Sequence, residues 1–307
     1  MALSESNRFA AKLGTKQFLV TMEVNPPKGT DLAGILASVE RVKGLVDAVN
    51  VTDGSGAIMR ACSLAVAKAV LDAGADPILQ MTCRDRNRLA LQADLLGAAI
   101  LGIRNVLLLT GDDPKAGDHP EAKPVFDINS AALMQVAKGL TQGKDMAGKE
   151  LSGVPTFCIG AAADPGAKDL DAEAQKLKAK IDGGAQFFQT QAVFDAGKLR
   201  AFMERARPFG KPVLAGILLV KSAKMARYMN EHVWGIHVPD ELIARFERTK
   251  DAKAECIEVT VELIRAVRES ADGIHLYALG WEELIPDILK QAELERSPRP
   301  VGRGSPK

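Results

Sequence analysis

An alternation of short apolar runs with longer helical stretches constrains this sequence more than any single motif. The runs, rich in Val, Ile, Leu and Phe, are QFLVTMEV (17–24), DAVNVTD (47–53), PILQMTC (77–83), RNVLLLT (104–110), VPTFCIG (154–160), AQFFQTQ (185–191), PVLAGIL (212–218) and GIHLYAL (273–279). Runs of this kind suit strands buried on both faces. The intervening segments, such as AIMRACSLAVAKAVLDAG and NRLALQADLLGAAILGI, suit helices closed at Gly74 and Gly102. Strands joined through helices pair in parallel, and eight such units close a sheet into a (β/α)8 barrel of about 250 residues. The 307 residues, 47% hydrophobic, suffice for one barrel with a large core. The expected fold is a single TIM barrel over residues 1–295. An open doubly wound sheet is the rival, but it would carry G-x-G-x-x-G after an early strand. The nearest stretch, DGSGAIMR (53–60), lacks the third glycine.

Residues 219–272 separate the seventh run from the eighth. Ile257, Val261, Ile264 and Val267 share a helical face there, so the insertion reads as an extra helix followed by the regular one before the last strand. The end, RSPRPVGRGSPK (296–307), is expected to be a disordered tail. With 40 basic against 39 acidic side chains the formal net charge is +1, without the basic excess of a nucleic-acid binder. No apolar run approaches the roughly 20 residues of a membrane span. The start, MALSESNRFAAKLG, has no signal-peptide core, so a cytoplasmic protein is expected. Cys62, Cys83, Cys158 and Cys256 are scattered with no C-x-x-C pair, which argues against a disulfide framework or a zinc knuckle. No set of His, Asp and Glu has metal-ligand spacing, so no metal is expected.

In a parallel barrel the chemistry collects at the C-terminal ends of the strands. Those ends form a ring of Glu23, Thr52 with Asp53, Thr82 with Cys83 and Arg84, Thr110-Gly111-Asp112, Gly160, Gln189 with Gln191, and the segment around Leu218. Two acids stand out in this mainly uncharged ring, Glu23 and Asp112. A strand-end acid can simply cap the next helix or pair with a loop arginine. For Glu23, however, Pro26 and Pro27 stiffen the exit from the strand and hold the carboxylate in place. A Glu at the rim of an apolar cavity can serve as a general acid near neutral pH. Asp112 follows a glycine in TGDDP, a turn that lets backbone approach a flat ligand. His275, inside the last strand, reads as a satisfied core histidine.

Taken in order, the strand ends resemble those of the methylenetetrahydrofolate reductase family, from about Phe18 to Trp281. The carriers are MEVNPPKG for E-x-x-P-P, VTDG for V-T-x-G, QMTCRDRN for the H-L-T-C strand end, LLLTGDDP for L-R-G-D-x-P, LKAKIDGGAQFFQTQAVFD for L-K-x-K-x-x-A-G-A…Q-x-x-x-D, and GIHLYALG for the final strand. The resemblance implies a flavin, usually FAD with FMN as the alternative, bound across the barrel mouth. It also implies hydride transfer to 5,10-methylenetetrahydrofolate. By the same likeness Glu23 would protonate a folate nitrogen, Asp112 would sit near the flavin pyrimidine edge and the pterin, and Gln191 would contact the pterin or the flavin face. Thr52, Gln80, Thr82, Thr110, Gly111, Asp112, Phe126, Asp127, Gly160, Asp164 and Lys180 fall at flavin-contact positions.

The chain also departs from the pattern. Gln80 replaces a histidine, Thr110 the arginine before G-D, Ala179 an arginine next to Lys180, and Met229 an aromatic. Two cationic cofactor contacts are thus missing. ALGWEE (278–283) and TCRDRN resemble reductases of anaerobic one-carbon pathways. The electron donor that the resemblance implies is NADH or NADPH, or a partner subunit carrying iron-sulfur or zinc. An oligomer is expected, and no adenosylmethionine control, since the regulatory domain of eukaryotic members is not seen. Two other readings stay open: a flavin-free pterin-binding barrel of the methyltransferase or synthase type, and a non-catalytic subunit of a one-carbon enzyme complex.

Overall fold

The structure is a computed structural model that describes residues 8–294 apart from 16 and 234. The tail expected at 296–307 lies outside the described residues. The strands are β1 (Leu19–Val24), β2 (Ala48–Val51), β3 (Pro77–Thr82), β4 (Asn105–Leu109), β5 (Cys158–Ala163), β6 (Phe187–Ala192), β7 (Val213–Leu218) and β8 (Gly273–Tyr277). They form one closed parallel barrel in sequence order. The seam is β1 against β8, with Thr21 opposite His275 and Met22 opposite Leu276. The helices are α1 (Arg8–Leu13), α2 (Ala33–Val42), α3 (Ser63–Asp72), α4 (Arg88–Ile100), α5 (Ser130–Thr141), α6 (Leu170–Asp182), α7 (Ala196–Ala206), α8 (Ala223–His232), α9 (Asp240–Arg248), α10 (Ala252–Val267) and α11 (Ile285–Gln291). Asn87, Asn129, Asp169, Asp195, Ser222 and Asp251 each accept backbone N–H bonds from the first turn of the helix that follows. Such caps set where each helix begins.

Successive residues on a strand face opposite sides, so each strand divides between two cores. Val20, Met22, Val49, Val51, Leu79, Met81, Ile159 and Ala161 belong to the large core shared with the helices. Ala48, Ile78, Leu107, Cys158 and Phe187 form a smaller cluster with Phe9 at the N-terminal end of the lumen. There α1 seals the barrel: the Phe9 ring meets Phe187 edge-on at 5.1 Å, and the Phe9 N–H donates to Asp76 at 3.0 Å. Lys12 pairs with buried Asp47, which also accepts the Val20 N–H at 2.9 Å.

Two expectations need correction. The fifth strand is not residues 154–160 but Cys158–Ala163, so Gly160 lies inside it and not at its end. The insertion before β8 contains α8, α9 and α10, one helix more than the pair expected. The added one, α8, starts where the Ser222 hydroxyl accepts the Met225 N–H.

Candidate active site

Above the apolar plug the lumen turns polar. Asn50 on β2 and Gln189 on β6 lie across the barrel from one another, yet Asn50 Nδ2 donates to Gln189 Oε1 at 2.6 Å, so the bond spans the interior. Gln189 Nε2 donates in turn to Asn50 Oδ1 at 3.1 Å and to Thr21 Oγ1 at 3.0 Å. Thr21 Oγ1 stands 2.9 Å from His275 Nδ1. Asn50, Gln189, Thr21 and His275 are all buried, and burial of polar groups is tolerable here because each finds a partner.

Glu23 sits one inward position above Thr21 on β1 and is 7% exposed. Its Oε2 lies 3.6 Å from His275 Nε2. Tyr277 stacks edge-on against His275, with ring centroids 4.6 Å apart, and donates its hydroxyl to the Thr190 carbonyl at 2.7 Å. Burial, and then the nearby Glu23 carboxylate, push the Tyr277 phenol up, so it stays a neutral donor. A buried carboxyl toward the C-terminal end of the lumen, with an imidazole beside it, can hand a proton to a bound base.

The rim carries most of the other expected residues. Thr52 is buried and donates to Asn25 Oδ1 at 2.9 Å. Thr82 is held by Asp53, which accepts both its N–H at 2.8 Å and its hydroxyl at 3.0 Å and also pairs with Arg86. Gln80 is 7% exposed, and its amide makes no hydrogen bond among the described residues. Gly111 has φ +95°, and a Cβ there would stand 2.9 Å from Thr82 Cβ, so only glycine fits the turn. Asp112, exposed, accepts the Gly56 N–H at 2.9 Å and lies in the field of Arg84. Gln191 is at the C-terminal end of β6, packed close to Gly235. Asp164 accepts the Gly166 N–H at 2.9 Å, and burial pushes its carboxyl up. Lys180 donates to the Ala162 carbonyl at 2.7 Å, and burial pulls its ammonium down.

The other four predicted residues, Thr110, Phe126, Asp127 and Gly160, have these surroundings. Thr110 exchanges bonds with Ser130 at the start of α5. Both oxygens of Asp127 are taken by Arg88, at 2.8 and 3.0 Å, and these bonds pull its carboxyl down to about 2. Phe126 beside it has φ +39°. Gly160 is at mid-strand, where a Cβ would stand 2.3 Å from the Phe187 ring, so its missing side chain makes room for the plug. Among the described residues no group of three His, Cys, Asp or Glu side chains could hold a metal ion. None of the described helices is long and apolar enough to cross a membrane. A cavity of 460 Å³ lined by Leu13, Arg104, Phe157, Gln186 and Lys211 lies at the opposite, N-terminal end.

The methylenetetrahydrofolate reductase family profile matches residues 8–293. This chain belongs to the methylenetetrahydrofolate reductase family. Its relatives include 5,10-methylenetetrahydrofolate reductase of Salmonella typhimurium, 27% identical over 87% of this chain and 88% of that one. The enzyme of Escherichia coli is 25% identical over 87% and 88%. Methylenetetrahydrofolate reductase 1 of Schizosaccharomyces pombe is 25% identical over 89% of this chain but only 45% of its own length. The chain thus spans less than half of that fungal relative. Among solved structures, an uncharacterized Clostridium thermocellum protein that binds two copies of 5-methyl-5,6,7,8-tetrahydrofolic acid superposes with TM-score 0.63 at 14% identity, over 93% of this chain and 98% of that one. A 2,3-dimethylmalate lyase superposes with TM-score 0.52 at 12% identity, over 100% and 93%. At these identities the likeness shows the shared barrel.

Within this reductase family member, the sequence pattern does not reveal what surrounds Glu23. His275 does satisfy Nδ1 in the core, as expected, but its other nitrogen faces the acid. Tyr277 and Asn50 are absent from the expected site, and Gln189, assigned to the ring, lies below it. The available signal was parity: Thr21, Glu23, Asn50, Gln189, His275 and Tyr277 all occupy alternate, inward positions of strands that otherwise read as apolar.

Proposed function

We propose that this protein reduces 5,10-methylenetetrahydrofolate to 5-methyltetrahydrofolate with a bound flavin, and that Glu23 is the general acid. The observation carrying this reading is the buried Glu23 carboxyl toward the C-terminal end of the lumen, beside His275 and Tyr277, in a chain matched along almost its full length by the family. Glu23 donates its proton to a ring nitrogen of the folate, which opens the five-membered ring to a cationic iminium. Asp112 lends negative charge at the rim to stabilise that cation. Gln191 orients the pterin by hydrogen bonding.

The residues around β3 to β5 fit a flavin. Gln80, 7% exposed, has a side-chain amide that bonds no described residue, Gly111 leaves backbone open to a flat ring, and Lys180 has donors beyond the one bonded to Ala162. Thr52, Thr82 and Asp164 stand at the C-terminal ends of β2, β3 and β5. When bound, the flavin supplies the hydride. FAD is the expected form. Its donor is NADH, NADPH or a cysteine-rich partner subunit, and turnover with each nicotinamide separates these. The four free cysteines, three of them buried, suit a reducing compartment such as the cytoplasm.

The test begins with the visible spectrum of the purified protein and chromatography of the cofactor released by acid. The protein is then reduced with dithionite and mixed anaerobically with 5,10-methylenetetrahydrofolate. Reoxidation of the flavin with formation of 5-methyltetrahydrofolate is the expected result. A colourless protein that takes up neither FAD nor FMN would overturn the reading and leave the flavin-free pterin barrel or the non-catalytic subunit.

A further inference from the structure

The polar column below Glu23 has a direction, which follows from counting hydrogens. The Gln189 amide nitrogen has two, and they go to Asn50 Oδ1 at 3.1 Å and Thr21 Oγ1 at 3.0 Å. Thr21 Oγ1, having accepted one bond, has its own hydrogen to donate. The nearer acceptor is His275 Nδ1 at 2.9 Å, while the Ile274 carbonyl is at 3.4 Å. His275 Nδ1 therefore faces the donating Thr21 hydroxyl, with the Gln189 amide nitrogen, its two hydrogens already committed, at 3.3 Å. A donating hydroxyl at this distance suits a bare ring nitrogen. A neutral imidazole with Nδ1 bare carries its hydrogen on Nε2, the atom 3.6 Å from Glu23 Oε2.

We infer that His275 is a positioning residue for Glu23. The chain of Asn50, Gln189 and Thr21 sets its tautomer, and the resulting Nε2–H engages one oxygen of the Glu23 carboxyl. This rests on Glu23 being the general acid. At 3.6 Å the pair is in polar contact and short of a hydrogen bond, and contacts of this kind tighten when substrate fills a site. In a neutral carboxyl the carbonyl oxygen is the better acceptor, so the N–H faces the carbonyl oxygen, Oε2. The transferable proton accordingly sits on Oε1. When Oε1 gives that proton to the folate nitrogen, the nitrogen becomes cationic and Glu23 becomes a carboxylate, whose new charge is met by the N–H already in place. Tyr277, edge-on to the ring and anchored on Thr190, keeps the imidazole from swinging away.

Two measurements on the full chain test this. Nitrogen-15 NMR of the protein labelled at its histidines reads the tautomer whether or not the enzyme turns over. The four histidines are told apart by the signal lost in His275→Gln. The expected result is a neutral ring protonated on Nε2, and protonation on Nδ1, alone or on both nitrogens, overturns the inference. The second measurement is the rate at which dithionite-reduced protein is reoxidised by 5,10-methylenetetrahydrofolate. A glutamine amide reaches the place of Nε2 and an asparagine amide that of Nδ1. His275→Gln should therefore stay within about 10-fold of the parent, while His275→Asn and His275→Ala lose about 100-fold, with flavin content and folate affinity unchanged. Thr21→Val should lose about 10-fold and Thr21→Ser much less. An asparagine variant as fast as the glutamine one, or an alanine variant as fast as the parent, overturns the role. Failure of the parent itself to be reoxidised by the folate would instead refute the proposed function, and the NMR result separates the two.

Discussion

At the N-terminal end of the lumen, β2 to β6 point Ala48, Ile78, Leu107, Cys158 and Phe187 inward beneath the Phe9 lid. Two residues further along the same strands the inward positions hold Asn50, Gln80, Leu109, Gly160 and Gln189. The change from apolar plug to largely polar ring thus takes a single pleat repeat, about 7 Å. The lower layer is filled by large side chains that need no partner. In the upper one Asn50 and Gln189, with Thr21 and His275 beside them, are tolerated because they bond one another across the lumen, while Gln80 bonds no described residue. The difference teaches that stability and chemistry are separated along the barrel axis, as far as a parallel barrel allows.

Substitutions at the two ends should therefore separate cleanly. Glu23→Gln should give the largest effect: a loss of about 10² to 10⁴ in the rate of folate reduction, with flavin still bound and reducible and the unfolding midpoint in urea nearly unchanged. A normal rate would remove Glu23 from its role. At the other end, Phe187→Ala should cost about 3–5 kcal/mol in urea unfolding while the folded protein keeps its folate chemistry. Gly160→Ala should cost about 1–3 kcal/mol, since its Cβ must displace the Phe187 ring. A glycine needed only for ligand approach would instead show lost flavin affinity at unchanged stability.

The mildest prediction concerns reactivity and pH. Burial pushes Cys83 and Cys256 up to about 11 and Cys158 up to about 12. A raised thiol pKa means less thiolate at a given pH, so these thiols become nucleophilic only as the pH climbs toward those values. Iodoacetamide at pH 8 should modify exposed Cys62 and leave the other three, giving one adduct by mass spectrometry in the folded protein and four after denaturation. An adduct at Cys158 in the native protein would mean that the plug opens.

Much of this was legible in the chain. The strands of the barrel announce themselves as apolar runs, and the rim acids as charges at their ends, because hydrophobic periodicity is a local property. The fifth strand escapes such a reading because VPTFCIG has the better strand composition, while the true strand, CIGAAA, is built of small residues whose partners are the large rings of β6. Gly160 looked like a terminator for the same reason. The site was legible as a set of positions and less so as an arrangement. His275 and Glu23 are separated by most of the sequence and meet only through the β1–β8 register, and Asn50 meets Gln189 only through closure of the ring. Nor does composition reveal that Asp127 is taken by Arg88, which depends on how the loop before α5 lies against α4.

That seam has a consequence for the protein as it is made. Glu23 is among the first residues of the barrel to be synthesised, and His275 belongs to the last strand. In a growing or truncated chain that lacks β8, Glu23 has no imidazole behind it, whatever is held by β3 to β5. With Glu23 as the acid and His275 as its support, such a fragment would not deliver hydride efficiently to the folate. Competence for the full reaction would appear only when the two ends of the chain lie side by side, which makes turnover a direct reporter of ring closure.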